Sequence, residues 1–359
     1  MTTQVAFLFP GQGSQAVGMG ADIWEASAAA RQVFESADEA TGISLSNLCF
    51  HGPDDVLRET IHTQPAIVAV SLALLAALQE ALTEYTSSWS SPLTPSFTAG
   101  HSVGEYAALV ASGALDLKDA VRLVRERGRL MHYEGTICPG GMAAVIGMDA
   151  ETLQEVCQDA TAQSSANLTR ISHPGQGQVT IANFNAPGQI VISGEQGALN
   201  VAMELAQARG AKRVIPLAVS GAFHSPVMQP AEVGLAQAIK NTPVYDVAIP
   251  IIGNIHATPL HEAQTIREEL AQQIAAPVQW IRTIEYLVHA GVTTFLEIGP
   301  GQALAGMVKR IAKGVITLNV SSAVDIDKAV GTIREMGLVG TAGDHKGPPH
   351  HSSPPSPLL

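Results

Sequence analysis

Residues 95–113 read P-S-F-T-A-G-H-S-V-G-E-Y-A-A-L-V-A-S-G, and the order of residue types in this stretch decides the fold. An apolar run at 97–99 meets Gly100-His101-Ser102-Val103-Gly104. Beyond it Tyr106, Ala107, Val110 and Ala111 recur at helical spacing until Ser112-Gly113 closes the helix. That is a strand, a sharp turn and a helix. G-x-S-x-G at such a junction is a nucleophile elbow: small residues two before and two after the serine let strand and helix cross closely, and the serine oxygen projects at the helix N-terminus. Free N–H groups and peptide dipoles there favour developing negative charge. An ordinary glycine-rich turn has the same composition, but it does not require a strand before and a helix after.

The rest of the chain has room for such an enzyme. At 359 residues it is long enough for two domains of roughly 150 residues each. Apolar residues make up 46% and charged residues 14%, the balance of a soluble α/β protein. No apolar run reads as long enough to cross a bilayer, and residues 1–11 carry no basic region of the kind that opens a secretory signal, so a cytoplasmic protein with no membrane partner is expected. Cys49, Cys138 and Cys157 are far apart and form no C-x-x-C pair. Disulfides and structural zinc therefore do not fit, and a reducing compartment does. With 20 Lys and Arg against 32 Asp and Glu the net charge is -12, which repels polyanions and excludes nucleic acid as a partner.

Residues 4–9 read as a buried strand running into Pro10-Gly11-Gln12-Gly13-Ser14-Gln15. A glycine loop after a first strand brings backbone N–H groups close to something. Gly11, Gly13 and Ala16 meet the loose dinucleotide pattern G-x-G-x-x-A, but no strand ending in an acidic residue follows roughly twenty positions on, and no Gly-Lys-Ser/Thr is present. A nucleotide cofactor is not expected. A helix reads over 24–40, then a loop with short helices over 41–62. Next comes a long helix to about Leu82, with Thr63 as its cap, Pro65 in its first turn and the core stripe Ile67, Val70, Leu74, Leu78. Residues 86–96, rich in Ser and Pro, read as a surface loop.

The helix over 116–134 holds the most informative charge. Leu117, Val121, Val124, Gly128 and Met131 face inward, and Arg122, Arg125, Glu126 and Arg129 face water. Arg127 belongs with neither group, because its neighbours at three and four residues are Leu123, Val124, Leu130 and Met131. A guanidinium buried there requires an anion. That anion is either an internal Asp or Glu or the free carboxylate of a bound substrate.

From Gly141 the pattern becomes βαββαβ: strand 142–147, helix 150–160, a strand pair 179–183 and 189–193 across Asn185-Ala186-Pro187-Gly188, helix 197–209 and strand 212–217, with a surface excursion over 162–177. His224, in Gly221-Ala222-Phe223-His224-Ser225-Pro226 just past a strand, sits where a Ser–His pair can be assembled. His101 adjoins Ser102 but its side chain should point away. A strand at 249–254, a helix at 266–274, a strand at 292–298, a helix at 302–312 and a strand at 315–319 complete the folded part. The proline-rich stretch 341–359 reads as a disordered tail. The expected class is thus α/β: a larger α/β-hydrolase-like catalytic domain formed by 1–140 and 212–320, with a smaller ferredoxin-like unit inserted at 141–211.

Eight motifs appear in one order: F-P-G-Q-G-S-Q (9–15), T-Q-P-A (63–66), G-H-S-V-G-E (100–105), R-G (127–128), N-A-P-G-Q (185–189), G-A-F-H-S (221–225), Q-x-x-x-P-V-x-W (273–280) and E-I-G-P-G (297–301). Together they resemble the malonyl-CoA:acyl-carrier-protein transacylases, which act in fatty-acid synthesis and as acyltransferases of polyketide synthases, and the resemblance runs from about residue 4 to 320. It implies malonyl transfer from malonyl-CoA to a carrier-protein thiol by ping-pong exchange, with Ser102 as nucleophile and His224 as its base. It implies an oxyanion hole from the backbone N–H groups of Gln12 and Val103, and a malonyl carboxylate gripped by Arg127 in a pocket with Gln64, Met131 and Phe223. The main chain near Gln273, together with Asn254, would orient the histidine in place of a triad aspartate. The Phe223 ring resembles malonyl-selective members, a size effect of about 1 to 3 kcal/mol. No cofactor or metal is implied, a monomer is expected, and an acidic carrier protein would dock on basic spots such as Lys212, Arg213, Lys309, Arg310 and Lys313. The rival reading is a serine acyl hydrolase on the same scaffold. A buried Arg127 speaks against it, since a general acyl pocket has no use for an arginine.

Overall fold

Parallel strands require covered crossovers, and most of the helices in this chain serve that purpose. The computed structural model describes residues 4–84, 93–166, 168 and 170–338. The tail at 341–359 and residues 86–92 of the Ser/Pro-rich loop lie outside them. The chain opens with β1 (Gln4–Phe9), then α1 (Ala21–Ala26) and α2 (Ala28–Thr41), where a single helix was expected. Ser27 breaks the run by taking extended backbone, and its hydroxyl accepts from the Ala30 N–H to start the second helix. Two short helices, α3 (Leu45–His51) and α4 (Asp54–Arg58), lead into α5 (Thr60–Glu84).

Helix α5 departs from the sequence reading in two ways. It begins at Thr60, so Thr63 is not its cap; the Thr63 hydroxyl instead donates to the Leu57 carbonyl, and Pro65 lies inside the helix. By length and composition residues 60–83 could also cross a membrane, with a mean hydropathy of 1.9, contrary to the expectation that no such run exists. Yet 72% of its most apolar window is buried within the protein. Ile67, Val70, Leu74 and Leu78 are fully buried, so tertiary packing consumes that apolar surface.

The elbow follows as β2 (Phe97–Gly100) and α6 (Gly104–Ser112), then the arginine-bearing α7 (Leu117–Ile137). The next six elements are β3 (Gly140–Ile146), α8 (Ala150–Ala166), β4 (Val179–Ala186), β5 (Gln189–Glu195), α9 (Gln196–Ala208) and β6 (Arg213–Pro216). Helix α8 runs six residues past its expected end at 160, which shortens the surface excursion. A 3₁₀ turn at Pro226–Met228 leads to α10 (Gln229–Lys240), β7 (Ile251–Ile252), β8 (Pro259–Leu260) and α11 (Ala263–Gln272). After these come α12 (Trp280–His289), β9 (Val292–Ile298), α13 (Ala303–Ile311), β10 (Ile316–Val320) and α14 (Ala323–Glu335). Helices α10, α12 and α14 were not anticipated, and β7 keeps two residues of the strand expected at 249–254.

The larger sheet has the order β10-β9-β1-β2-β7-β8, parallel except at its β8 edge. Strand β1 is buried on both faces. Val5, Phe7 and Phe9 join the core under α2, α5, α6 and α7, while Ala6 and Leu8 join a second core with Trp280, Ile284, Leu287 and Phe295. The smaller sheet, antiparallel with order β4-β5-β3-β6, carries its own core with α8 and α9. The smaller sheet meets the segment before α12 at residues 182–184, where Phe184 N–H donates to Val278 O at 2.9 Å and Val278 N–H to Ala182 O at 2.8 Å.

In this register Phe9 pairs with Gly100 and Leu8 with Glu297, so three loops leave the same edge of the sheet. Ligands in open α/β sheets bind at such carboxyl ends. The crossing there leaves no space for side chains: a Cβ on Gly100 would lie 2.0 Å from the carbonyl carbon of Gly104, and one on Gly104 would lie 2.2 Å from Phe9 O. Both obstacles are backbone. Gly100→Ala is therefore expected to cost at least about 3 kcal/mol, measured by urea unfolding, and an unchanged midpoint would contradict this packing.

Candidate active site

Ser102 lies in the turn two residues before the elbow helix, and its φ of 52° is a conformation that a non-glycine residue rarely holds. An amide from a distant loop secures it: the Ser102 N–H donates to Asn254 Oδ1 at 2.8 Å, so Asn254, expected to orient the histidine, holds the backbone of the serine instead. The hydroxyl is then 2.7 Å from His224 Nε2. His224 also has positive φ, 58°, and its own N–H donates to Ile274 O at 2.9 Å. Its Nδ1 lies 2.9 Å from Gln273 O and 3.0 Å from Ala276 O. Carbonyls only accept, so Nδ1 carries the proton and Nε2 presents a lone pair to Ser102. Burial first, and the Arg127 charge second, lower the His224 pKa to about 3 against the pull of the two carbonyls. The imidazole is a neutral base at neutral pH.

Arg127 is 1% exposed. Its Nη1 donates to Gln64 Oε1 at 2.6 Å, and its Nη2 donates to Gln273 Oε1 at 2.9 Å and to Ser102 Oγ at 3.2 Å. Every one of these partners is neutral, and among the described residues no carboxylate forms an ion pair with it. Its Nε is buried without a hydrogen-bond partner. Of the two anions the sequence left open, the internal one is not in contact. Behind the guanidinium, Gln64 Nε2 donates to Thr60 Oγ1 at 2.8 Å and lies 3.4 Å from Met131 Sδ, and Thr60 Oγ1 donates to Gln12 Oε1 at 3.0 Å. A chain of side-chain dipoles thus runs from the first glycine loop to the arginine.

That loop is pressed against the elbow. A Cβ on Gly11 would lie 2.5 Å from His101 O, which sets Gln12 beside the turn that carries Val103. Neither the Gln12 nor the Val103 backbone N–H donates to an acceptor among the described residues. Phe223 is buried beside the base, over Gly221. The His101 ring is directed to Asn185 Oδ1 at 2.8 Å, with its centroid 5.4 Å from Trp280; it joins the two sheets and takes no part with the serine. Among the described residues no three His, Cys, Asp or Glu side chains could hold a metal ion.

Two contributors escaped sequence reading. Thr60 sat in a stretch read as loop. Glu105, fully buried in the first turn of α6, was quoted only as the end of a motif. A charged residue opening an otherwise apolar helix was the signal available.

Comparison with known proteins matches residues 6–335 to the family described as acyl transferase domain. The chain belongs to that family. It is similar to the malonyl CoA-acyl carrier protein transacylase of Bacillus subtilis (strain 168), 43% identical over 333 residues, 93% of this chain and 98% of that protein. Among solved structures, the acyl-carrier-protein-S-malonyltransferase from Bartonella henselae matches with a TM-score of 0.83 and 38% identity, covering 93% of this chain and 100% of the other. A malonyl-transacylase in complex with its type II polyketide-synthase acyl-carrier protein matches at 0.81 and 35%, covering 92% and 100%.

The depressed His224 pKa sets an expectation for reactivity. A histidine at its ordinary 6.5 loses its base form as pH falls through that value, whereas one held at about 3 keeps it. Acylation of Ser102 by a neutral serine-directed reagent should therefore be level from pH 7 to pH 5, and a limb near pH 6.5 would contradict the burial argument. Stability, unlike reactivity, declines over this range: the unfolded chain takes up a proton at residue 224 below about pH 6.5 and the folded chain does not, so this contribution is complete above that pH and is lost as pH falls toward 3.

Proposed function

We infer that this protein transfers a malonyl group from malonyl-CoA to the phosphopantetheine thiol of an acyl carrier protein, in fatty-acid or polyketide assembly, through malonyl-Ser102. One observation carries the reading: a buried guanidinium with no carboxylate partner among the described residues lies 3.2 Å from the serine oxygen. A substrate joining a reacting thioester to a free carboxylate one carbon away supplies the missing anion at that distance. Fork-to-carboxylate pairing then gives both affinity and orientation.

The chemistry follows from the proton positions. Ser102 Oγ attacks the thioester carbonyl as its proton passes to His224 Nε2, and the imidazolium formed is held by the Gln273 and Ala276 carbonyls. The tetrahedral oxyanion is received by the N–H groups of Gln12 and Val103. Collapse breaks the carbon–sulfur bond, and the coenzyme A thiolate leaves with the proton from His224. The carrier thiol then gives its proton to His224, attacks the acyl-serine, and Ser102 recovers its proton. One thioester replaces another, so no cofactor or metal is required. Phe223 restricts the space beside the acyl α-carbon.

The finer architecture fits this cycle: an α/β-hydrolase-like domain carries the nucleophile, and the βαββαβ unit, in the strand order of a ferredoxin-like fold, reaches the residue beside it through Asn185 and His101. A cytoplasmic monomer is the matching state. Exposed Lys212, Arg213, Lys309, Arg310 and Lys313 offer an acidic carrier protein its countercharge.

A hydrolase on the same scaffold would release the acyl group to water. Incubation with malonyl-CoA separates the two: an acyl-Ser102 adduct, seen by intact mass, should persist and be discharged faster by holo carrier protein than by buffer, whereas prompt free malonate would establish hydrolysis. Arg127→Ala is expected to lower malonyl loading by about a hundredfold or more while raising acceptance of acetyl-CoA. Unaltered malonyl kinetics would refute the assigned grip.

A further inference from the structure

Glu105 has no role in the cycle above, yet two side-chain amides of the site, those of Asn254 and Gln273, converge on it. Its Oε2 accepts from Asn254 Nδ2 at 2.5 Å and from Gln273 Nε2. The other ends of those amides touch the machinery. Asn254 Oδ1 receives the Ser102 N–H at 2.8 Å, and Gln273 Oε1 receives Arg127 Nη2 at 2.9 Å. An amide has two unlike ends, and Gln273 faces an acceptor at one and a donor at the other, so only one of its two orientations is satisfied. Without the acceptor at 105, rotation of Gln273 by half a turn would set an NH2 against the guanidinium.

The backup contacts of the two amides are unequal. Asn254 Nδ2 also donates to Gly100 O at 2.8 Å, whereas Gln273 Nε2 has only Ser102 O at 3.1 Å. The arginine therefore depends on Glu105 more than the nucleophile does. Interposing Gln273 has a further effect: a carboxylate in direct contact would neutralise Arg127 and compete with the substrate, and an amide between them holds the guanidinium while leaving its charge available.

We propose that Glu105 is a positioning residue for dicarboxylic-acyl recognition, acting through the orientation of the Gln273 amide on Arg127. The inference rests on the reading of Arg127 as the malonyl grip. Burial, together with the Glu269 charge, pushes the Glu105 carboxyl well above the ordinary carboxylate range, against the Gln273 and Asn254 hydrogen bonds and the Arg127 charge. What the site needs at 105 is accordingly an oxygen acceptor of the right reach, which glutamine also provides.

The test compares Ser102 loading from malonyl-CoA and from acetyl-CoA by intact mass in wild type, Glu105→Gln and Glu105→Met. Methionine keeps the volume and removes the acceptor. Loss of about one net hydrogen bond corresponds to a roughly tenfold fall in malonyl loading. Acetyl loading, which does not use Arg127, should fall by no more than about threefold, and the Gln variant should stay within about threefold of wild type for both. Equal losses for the two donors in the Met variant, intact malonyl loading, or a Gln variant as impaired as Met each overturn the proposal. If the Met variant does not fold, Glu105→Asp, which withdraws the acceptor by one methylene, must lower the malonyl-to-acetyl ratio; an unchanged ratio overturns it. A wild-type chain that malonyl-CoA does not acylate refutes the underlying reading itself, so the two failures are distinguishable.

Discussion

A guanidinium taken out of water without a counter-ion costs several kcal/mol, and the cleft of this protein is organised around holding one. Arg127 is kept in place by carbonyl oxygens of two glutamines and by the nucleophile's own hydroxyl. Dipoles of this kind compensate part of the desolvation and leave the charge unneutralised. A buried charge left in this state favours an anionic ligand, because such a ligand would complete an electrostatic arrangement that the fold leaves open. Burial first, and this cation second, depress the neighbouring histidine and keep the base unprotonated.

Around that charge the backbone is strained at the reacting atoms. Ser102 and His224 both hold positive φ, a cost of order 1 to 3 kcal/mol each, and each is tethered by hydrogen bonds to segments more than forty residues away: Asn254 for the serine, the carbonyls of Gln273 and Ala276 for the histidine. The orienting carbonyls do the work a triad carboxylate would do for the tautomer, without placing a second negative charge beside the thioester's developing oxyanion. Glycines at 100 and 104 let the elbow form against β1, and this brings the first loop to the serine. Position and charge are therefore set by different residues: the turn by glycine, the protonation state by burial.

The elbow, the inward arginine and the βαββαβ order were legible because each rests on local spacing: strand–turn–helix, a cation among apolar neighbours at three and four residues, alternation of short apolar runs. The boundaries of α5 were misread because Pro65 suggests a first turn, whereas Thr60 already starts the helix. Its resemblance to a membrane span disappears once the neighbouring helices bury it. Helices α10, α12 and α14 went unread, and the strand at 249–254 contracted to two residues, since β2 on one side and the short edge strand β8 on the other each pair with only Ile251 and Ile252.

From the residues alone came the nucleophile, its turn and a buried cation in need of an anion, since propensity and periodicity act over a few neighbours. Whether that anion was internal, and which of twelve histidines met the serine, depended on contacts across 122 and 146 positions of the chain. Such contacts are set by how β1, β2 and β9 align their ends and where the loops beyond them return. No short-range pattern encodes that closure, and only the folded arrangement decided it.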